Sequence, residues 1–134
     1  MSENVKHSWD DAGLEVLQTT DFEGTRIRRG GVYVVCFGAA WCRPTRGFVP
    51  KFAARKGHLP ARLAIADITE LSDPLWDLFQ IKITPTIRVF RDGTTVGRVN
   101  GRRLIGLRDS DLDRLGELVG TLGGPESSPP ASPS

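Results

Sequence analysis

Val32-Tyr33-Val34-Val35-Cys36-Phe37, followed four residues later by Trp41-Cys42-Arg43-Pro44-Thr45, is the stretch on which the fold turns. Its first part is a short, continuous run of β-branched and aromatic residues behind Gly30-Gly31, the pattern of a central strand buried on both faces. From Pro44 onward Phe48, Val49 and Phe52 recur at helical spacing, with Pro50 inside the pattern as a kink and Gly57 as a stop. A helix therefore begins beside Cys42. Its sulfur is expected near unpaired backbone N–H groups and the positive end of the helix dipole.

Outward from this unit, strand and helix alternate. Arg62 to Asp67 reads as a second strand through Leu63 and Ile65, and Asp73-Pro74 caps a short helix with Leu75, Leu78 and Phe79 on one face. Thr86 to Phe90 and Thr95 to Val99 are two strands joined by Arg91-Asp92-Gly93-Thr94, where Asp-Gly signals a tight antiparallel hairpin. The last helix runs from about Ser110 to Val119, with Leu112, Leu115, Leu118 and Val119 in one stripe, and an opening strand is placed at Glu15 to Thr19. Parallel strands joined by right-handed helical crossovers, closed by a hairpin, give an α/β protein: a mixed central β-sheet flanked by helices.

The chain of 134 residues fits one domain, and 39% hydrophobic residues supply a core. Eighteen basic and sixteen acidic side chains leave +2 with both signs interspersed, so no nucleic-acid partner is indicated. Residues 1–13 read as a flexible N-terminal segment, 14–122 as the domain and 123–134 as a disordered Pro/Ser-rich tail. No signal peptide and no apolar run of about 20 residues is present, so the expectation is a soluble cytoplasmic protein without a membrane partner. Cys36 and Cys42 are too few for a disulfide framework or a four-ligand zinc site, and His7 and His58 lack ligand spacing, so no metal is expected.

The chemistry then rests on Cys42. Arg43 and Arg46 bring positive charge, and the Thr45 hydroxyl can donate to a sulfur anion, each lowering the thiol pKa. The plain structural alternative is a small hydrophobe at a strand end. Cys36, inside an all-apolar strand, reads as an inert core thiol, with a resolving partner for Cys42 as the alternative.

From about Val16 to Val119 the chain resembles the thioredoxin family. Trp41-Cys42 with Pro44 matches the family's Trp-Cys-x-Pro-Cys segment except at its last position, Pro50 matches the kink, and Ile83-Thr84-Pro85-Thr86 matches the segment holding a cis-proline. Phe90, Asp92-Gly93 and Gly101 fit in the same register. The resemblance implies a thioredoxin-like fold and thiol–disulfide exchange, in which a first cysteine attacks and a second resolves. Here Thr45 stands where the second cysteine belongs, Cys36 where a buried aspartate is usual, and Leu63 where its lysine neighbour is common. Cys42 and Thr45 are the implied catalytic pair; Trp41, Arg43, Pro44, Thr84, Pro85 and Gly101 are the implied substrate-binding residues. The backbone of Thr84, beside a cis Pro85, is free to pair with an extended substrate. The clusters Arg26-Arg28-Arg29 and Arg102-Arg103 read as solvated loop charge, with an acidic partner as the alternative; if Arg102 and Arg103 flank the groove near Gly101, they can also pair with glutathione carboxylates.

The leading expectation is a monomeric monothiol protein with no resident cofactor, forming mixed disulfides with protein thiols or glutathione that an external thiol resolves. The alternative is a redox-inactive binding or chaperone module using the groove around Trp41 and Pro85. A glutathione-assisted iron–sulfur dimer and a Cys-x-x-Thr peroxidase are more remote options.

Overall fold

All seven residues of the strand Val32–Gly38 are buried, and the rest of the molecule is arranged on its two faces and two edges. The computed structural model describes residues 13–57, 59–100 and 109–121. In chain order it shows β1 (Glu15–Leu17), a 3-10 turn (Thr19–Asp21), β2 (Phe22–Glu23), β3 (Arg26–Ile27), β4 (Val32–Gly38) and α1 (Arg43–Ala53). There follow β5 (Arg62–Asp67), α2 (Leu75–Leu78), β6 (Thr86–Arg91), β7 (Thr94–Asn100) and α3 (Asp109–Thr121).

The main sheet has the order β1-β5-β4-β6-β7. β5 pairs in parallel with β1 and β4, while β6 pairs antiparallel with β4 and β7. This is the mixed sheet expected when crossover helices precede a closing hairpin. The hairpin turns on Asp92 and Gly93 at φ 50° and 92°, the two positive values that a type I′ turn requires. A Cβ on Gly93 would lie 2.8 Å from the Ile27 carbonyl oxygen, so glycine also allows β3 to hydrogen-bond there.

Alternation along β4 divides the core. Val32, Val34 and Cys36 face Phe48, Val49 and Phe52 of α1 and Leu112, Leu115 and Val119 of α3. Tyr33, Val35 and Phe37 face Leu75, Phe79, Phe22 and Ile27. The second face is an aromatic cluster, with Phe37 and Phe79 ring centroids 4.9 Å apart and Phe22 and Phe90 beside them. Each fully buried Phe of this kind stabilises the fold by about 1.5–3 kcal/mol.

Four details depart from the sequence reading. The opening strand stops at Leu17, because the Asp21 carboxylate accepts from the Gln18 N–H and turns the chain before Thr19 can extend it. α1 passes through Pro50 but ends at Ala53, short of Gly57. Leu78 is exposed: α2 is a single turn, and only Leu75 and Phe79, four apart, reach the core. Finally, β2 and β3 form a small antiparallel sheet of their own, which two-residue strands cannot announce by periodicity. The proposed segments 1–13, apart from Gly13, and 123–134, together with Gly101, Arg102 and Arg103, lie outside the described residues. Among the described residues no helix is long and apolar enough to cross a membrane.

Candidate active site

The site is assembled where β4 gives way to α1. Gly38 ends the strand, and its carbonyl accepts from the Ile68 N–H at 3.0 Å, fastening it to the end of β5. A Cβ at Gly38 would lie 2.5 Å from the Thr45 methyl, so only glycine lets the first turn of α1 settle on the strand end. The next residues are held by a short polar relay. Asp67 Oδ1 accepts from both the amide and the hydroxyl of Thr69, at 2.9 and 2.6 Å. Thr69 Oγ1 in turn accepts from the Ala40 N–H, and its carbonyl from Trp41 Nε1, at 2.9 and 2.8 Å. Sequence reasoning missed this relay; its signal was the Asp-x-Thr spacing after a strand, which favours side-chain bonds to nearby backbone.

Cys42 is the N-cap of α1, with extended backbone, while Pro44 occupies the first turn. Its N–H donates to the Ala39 carbonyl at 3.1 Å, and the Arg46 guanidinium donates to the Ala40 carbonyl at 3.0 Å. The Cys42 thiol donates to the Thr84 carbonyl, Sγ to O 3.4 Å. The Thr84–Pro85 bond is cis, and both residues are buried. The structure thus brings Cys42, Thr45, Thr84 and Pro85 together from two distant segments.

Ionisation of this thiol is favoured on balance. Partial burial is the largest single influence and opposes the anion, but hydrogen bonds from the Thr45 hydroxyl, the Thr84 side chain and the Thr45 amide, with the charge of Arg46, outweigh it. The thiol pKa is therefore lowered from the ordinary cysteine value. With the thiol neutral and donating to Thr84, the buried Thr45 hydroxyl has no partner among the described residues. Loss of the proton turns sulfur into an acceptor and gives that hydroxyl a bond to make. Of the two arginines expected to assist, Arg46 does so; Arg43, exposed at the first helical position, is not among the groups that move the thiol.

Cys36 differs in every respect. It is completely buried in β4, is unbonded to Cys42, and desolvation pushes its thiol well above the ordinary range. Trp41 lies on the surface next to Cys42, 53% exposed and stacked on Trp76 with ring centroids 6.3 Å apart and planes 9° off parallel. No cluster of three or more His, Cys, Asp or Glu side chains able to hold a metal occurs among the described residues.

A half-buried, anion-favouring cysteine at a helix start thus faces a cis-proline segment across the end of a mixed sheet. The family model described as Thioredoxin matches residues 13–109. The chain belongs to the thioredoxin family. Over 100 residues it is 33% identical to thioredoxin H9 of Arabidopsis thaliana, a match covering 72% of this chain and 62% of that protein. A thioredoxin of Chlamydia pneumoniae is 32% identical over 100 residues, 74% of this chain and 90% of that one. In fold, the chain is similar to the crystal structure of Chlamydomonas reinhardtii thioredoxin f2, with a TM-score of 0.66 and 22% identity over 85% of this chain and 100% of that one. The thioredoxin family is one of thiol–disulfide oxidoreductases, and within it this chain carries threonine at position 45 after Cys42.

Proposed function

We propose that the protein is a monothiol member of its family, exchanging disulfides through Cys42 alone in a reducing, cytoplasmic setting. The observation that carries this reading is the pairing of an activated Cys42 with a buried hydroxyl, not a thiol, at Thr45. The Cys42 thiolate attacks one sulfur of a protein or glutathione disulfide. A new bond joins Cys42 Sγ to that sulfur, the old S–S bond breaks, and the other sulfur leaves as a thiolate that takes a proton from water. Thr45 cannot attack the mixed disulfide, and Cys36 is buried with its thiol held protonated. An external thiolate, from glutathione or a partner protein, therefore attacks the substrate-derived sulfur, carries it away as a new disulfide and restores the Cys42 thiolate.

Within this reading Cys42 is the nucleophile and Thr45 the hydrogen-bond donor to its anion. Thr84 and Pro85 form the wall along which an extended substrate lies, and Trp41, Arg43 and Pro44 form its rim. The test is intact mass with peptide mapping after the reduced protein meets oxidised glutathione at neutral pH. One glutathione on Cys42 is expected; loss of two hydrogens, marking a Cys36–Cys42 bridge, or no change at all would overturn the reading.

A second reading has its own support: the half-exposed Trp41, stacked on Trp76, offers a flat apolar surface suited to holding a peptide without chemistry. It requires the protein's function to survive Cys42→Ser, which the exchange reading forbids.

A further inference from the structure

We propose that a cationic subsite beside the Thr84–Pro85 segment, centred on Arg98 and Lys82, receives a carboxylate of the disulfide partner. The inference takes its purpose from the exchange reading above, but binding at the subsite is separable from exchange at Cys42.

Arg88 and Arg98 are direct partners across β6 and β7, so two guanidinium groups share one face of the sheet. Among the described residues neither forms an ion pair with a carboxylate, and nor does Lys82. Arg88 lies against the Phe79 ring, 5.3 Å from its centroid, and donates to the Phe79 carbonyl, while its Nε is buried without a partner. Burial first, and then the charge of Arg98, lower the Arg88 pKa. Arg98 itself is exposed and donates from Nε and Nη2 to Asn100 Oδ1 at 3.2 and 3.1 Å. Directly opposed like charges are unfavourable, and an anion between or beside them removes that cost.

In front of Arg98 lies a cavity of about 260 Å³, lined by Gln80, Lys82, Ile83, Thr86, Arg98 and Asn100. Two cations and two side-chain amides border it, and no lining residue is acidic. The volume falls just below the roughly 300 Å³ at which sites for drug-sized ligands begin, so it suits one small anionic group. A guanidinium fork with an adjacent ammonium recognises a planar carboxylate.

Its position ties it to the thiol. Ile83 and Thr86 bracket Thr84–Pro85, and the Thr84 carbonyl is 3.4 Å from Cys42 Sγ. Two residues of chain, one of them joined through the shorter cis link, separate Thr84 from Thr86, so their Cα atoms lie at most about 7 Å apart. A disulfide partner with a carboxylate one or two residues from its half-cystine reaches both points. Glutathione, with a carboxylate at each end, and a protein loop bearing Asp or Glu beside its cysteine share this chemistry.

The test compares wild type with the exposed-site double variant Lys82→Gln/Arg98→Gln, whose fold is checked by thermal melting. Rate constants for mixed-disulfide formation are measured with oxidised glutathione, with uncharged 2-hydroxyethyl disulfide, and with a disulfide-linked, end-capped peptide carrying Glu beside the half-cystine. The expected result is that the preference for a carboxylate probe over 2-hydroxyethyl disulfide falls about tenfold or more in the variant, the scale of one lost charged hydrogen bond. A fall with glutathione alone assigns the terminal carboxylates, and a fall with the Glu peptide assigns an acidic side chain. An unchanged preference for both probes overturns the proposal. To separate this from failure of the exchange reading, S-methylglutathione and the Glu peptide are titrated into full-length Cys42→Ser protein by NMR. Shifts at Thr86, Arg98 and Asn100 that vanish with esterified ligand support the subsite even if Cys42 proves unreactive, and their absence counts against it.

Discussion

Cys36 and Cys42 are six residues apart, and the chain has made different chemistry of the same side chain. Cys36 lies mid-strand between apolar neighbours, paired with Ile65 on one side and Ile87 on the other, so nothing compensates a charge there. Cys42 lies just past the strand, where β4 has run out of partners and α1 has not yet satisfied its first amides. The same desolvation acts on both sulfurs. At Cys42 it is outweighed by Thr45, Thr84 and Arg46; at Cys36 it acts alone. Reactivity is thus decided by which backbone and side-chain donors are left over at an element boundary, not by exposure alone.

The largest expected effect separates the two thiols outright. Cys42→Ser abolishes mixed-disulfide formation with oxidised glutathione, whereas Cys36→Ser keeps it and loses about 1–3 kcal/mol of stability from a buried hydroxyl without a partner. An adduct on Cys36 in the first variant, seen by peptide mapping, would erase the contrast. Next is Thr45→Cys, which restores a Cys-x-x-Cys spacing. This variant is expected to release its substrate by forming an internal disulfide, detected as a loss of two hydrogens without added thiol, while wild type stops at the mixed disulfide.

Gly38→Ala probes the boundary itself. The new methyl must displace the Thr45 side chain, so a cost of about 1–3 kcal/mol in urea denaturation is expected, together with slower alkylation of Cys42. Stability equal to wild type would show that Thr45 is not held against the strand end. The smallest change is Thr45→Val, which keeps the shape and removes the hydroxyl. Since the hydroxyl lowers the Cys42 pKa, its loss moves the midpoint of the alkylation-rate profile to higher pH and reduces the rate at pH 7 about three- to tenfold. A profile that stays in place would assign the lowered pKa to Thr84, the helix start and Arg46.

The parts of the fold that were legible in the sequence are those where one local force dominates. The unbroken apolar run of β4, the Asp92-Gly93 turn and the leucine stripe of α3 each specify their element without help. The β2–β3 pair was not legible: Phe22 and Ile27 are single anchors, and Gly24, at φ 62° in a two-residue loop, was its one local cue. Leu78 misled because a one-turn helix buries a narrower stripe than a long one. For the site, Cys42, Thr45, Thr84 and Pro85 could be named from their motifs. The dependence on Gly38, the Asp67–Thr69 relay and the opposed arginines could not, because each joins residues whose proximity exists only after the sheet forms.

The Trp41–Trp76 stack has an optical consequence. Two indoles stacked with nearly parallel planes at 6.3 Å, one of them adjacent in sequence to the reacting sulfur, form a coupled chromophore whose near-ultraviolet circular dichroism depends on their mutual angle. Trp41 precedes Cys42 directly and is half in solvent, so a group attached to Cys42 changes the surroundings of that indole. The protein therefore carries a built-in, label-free signal for occupancy of its own thiol, readable in real time during the exchange reactions described above.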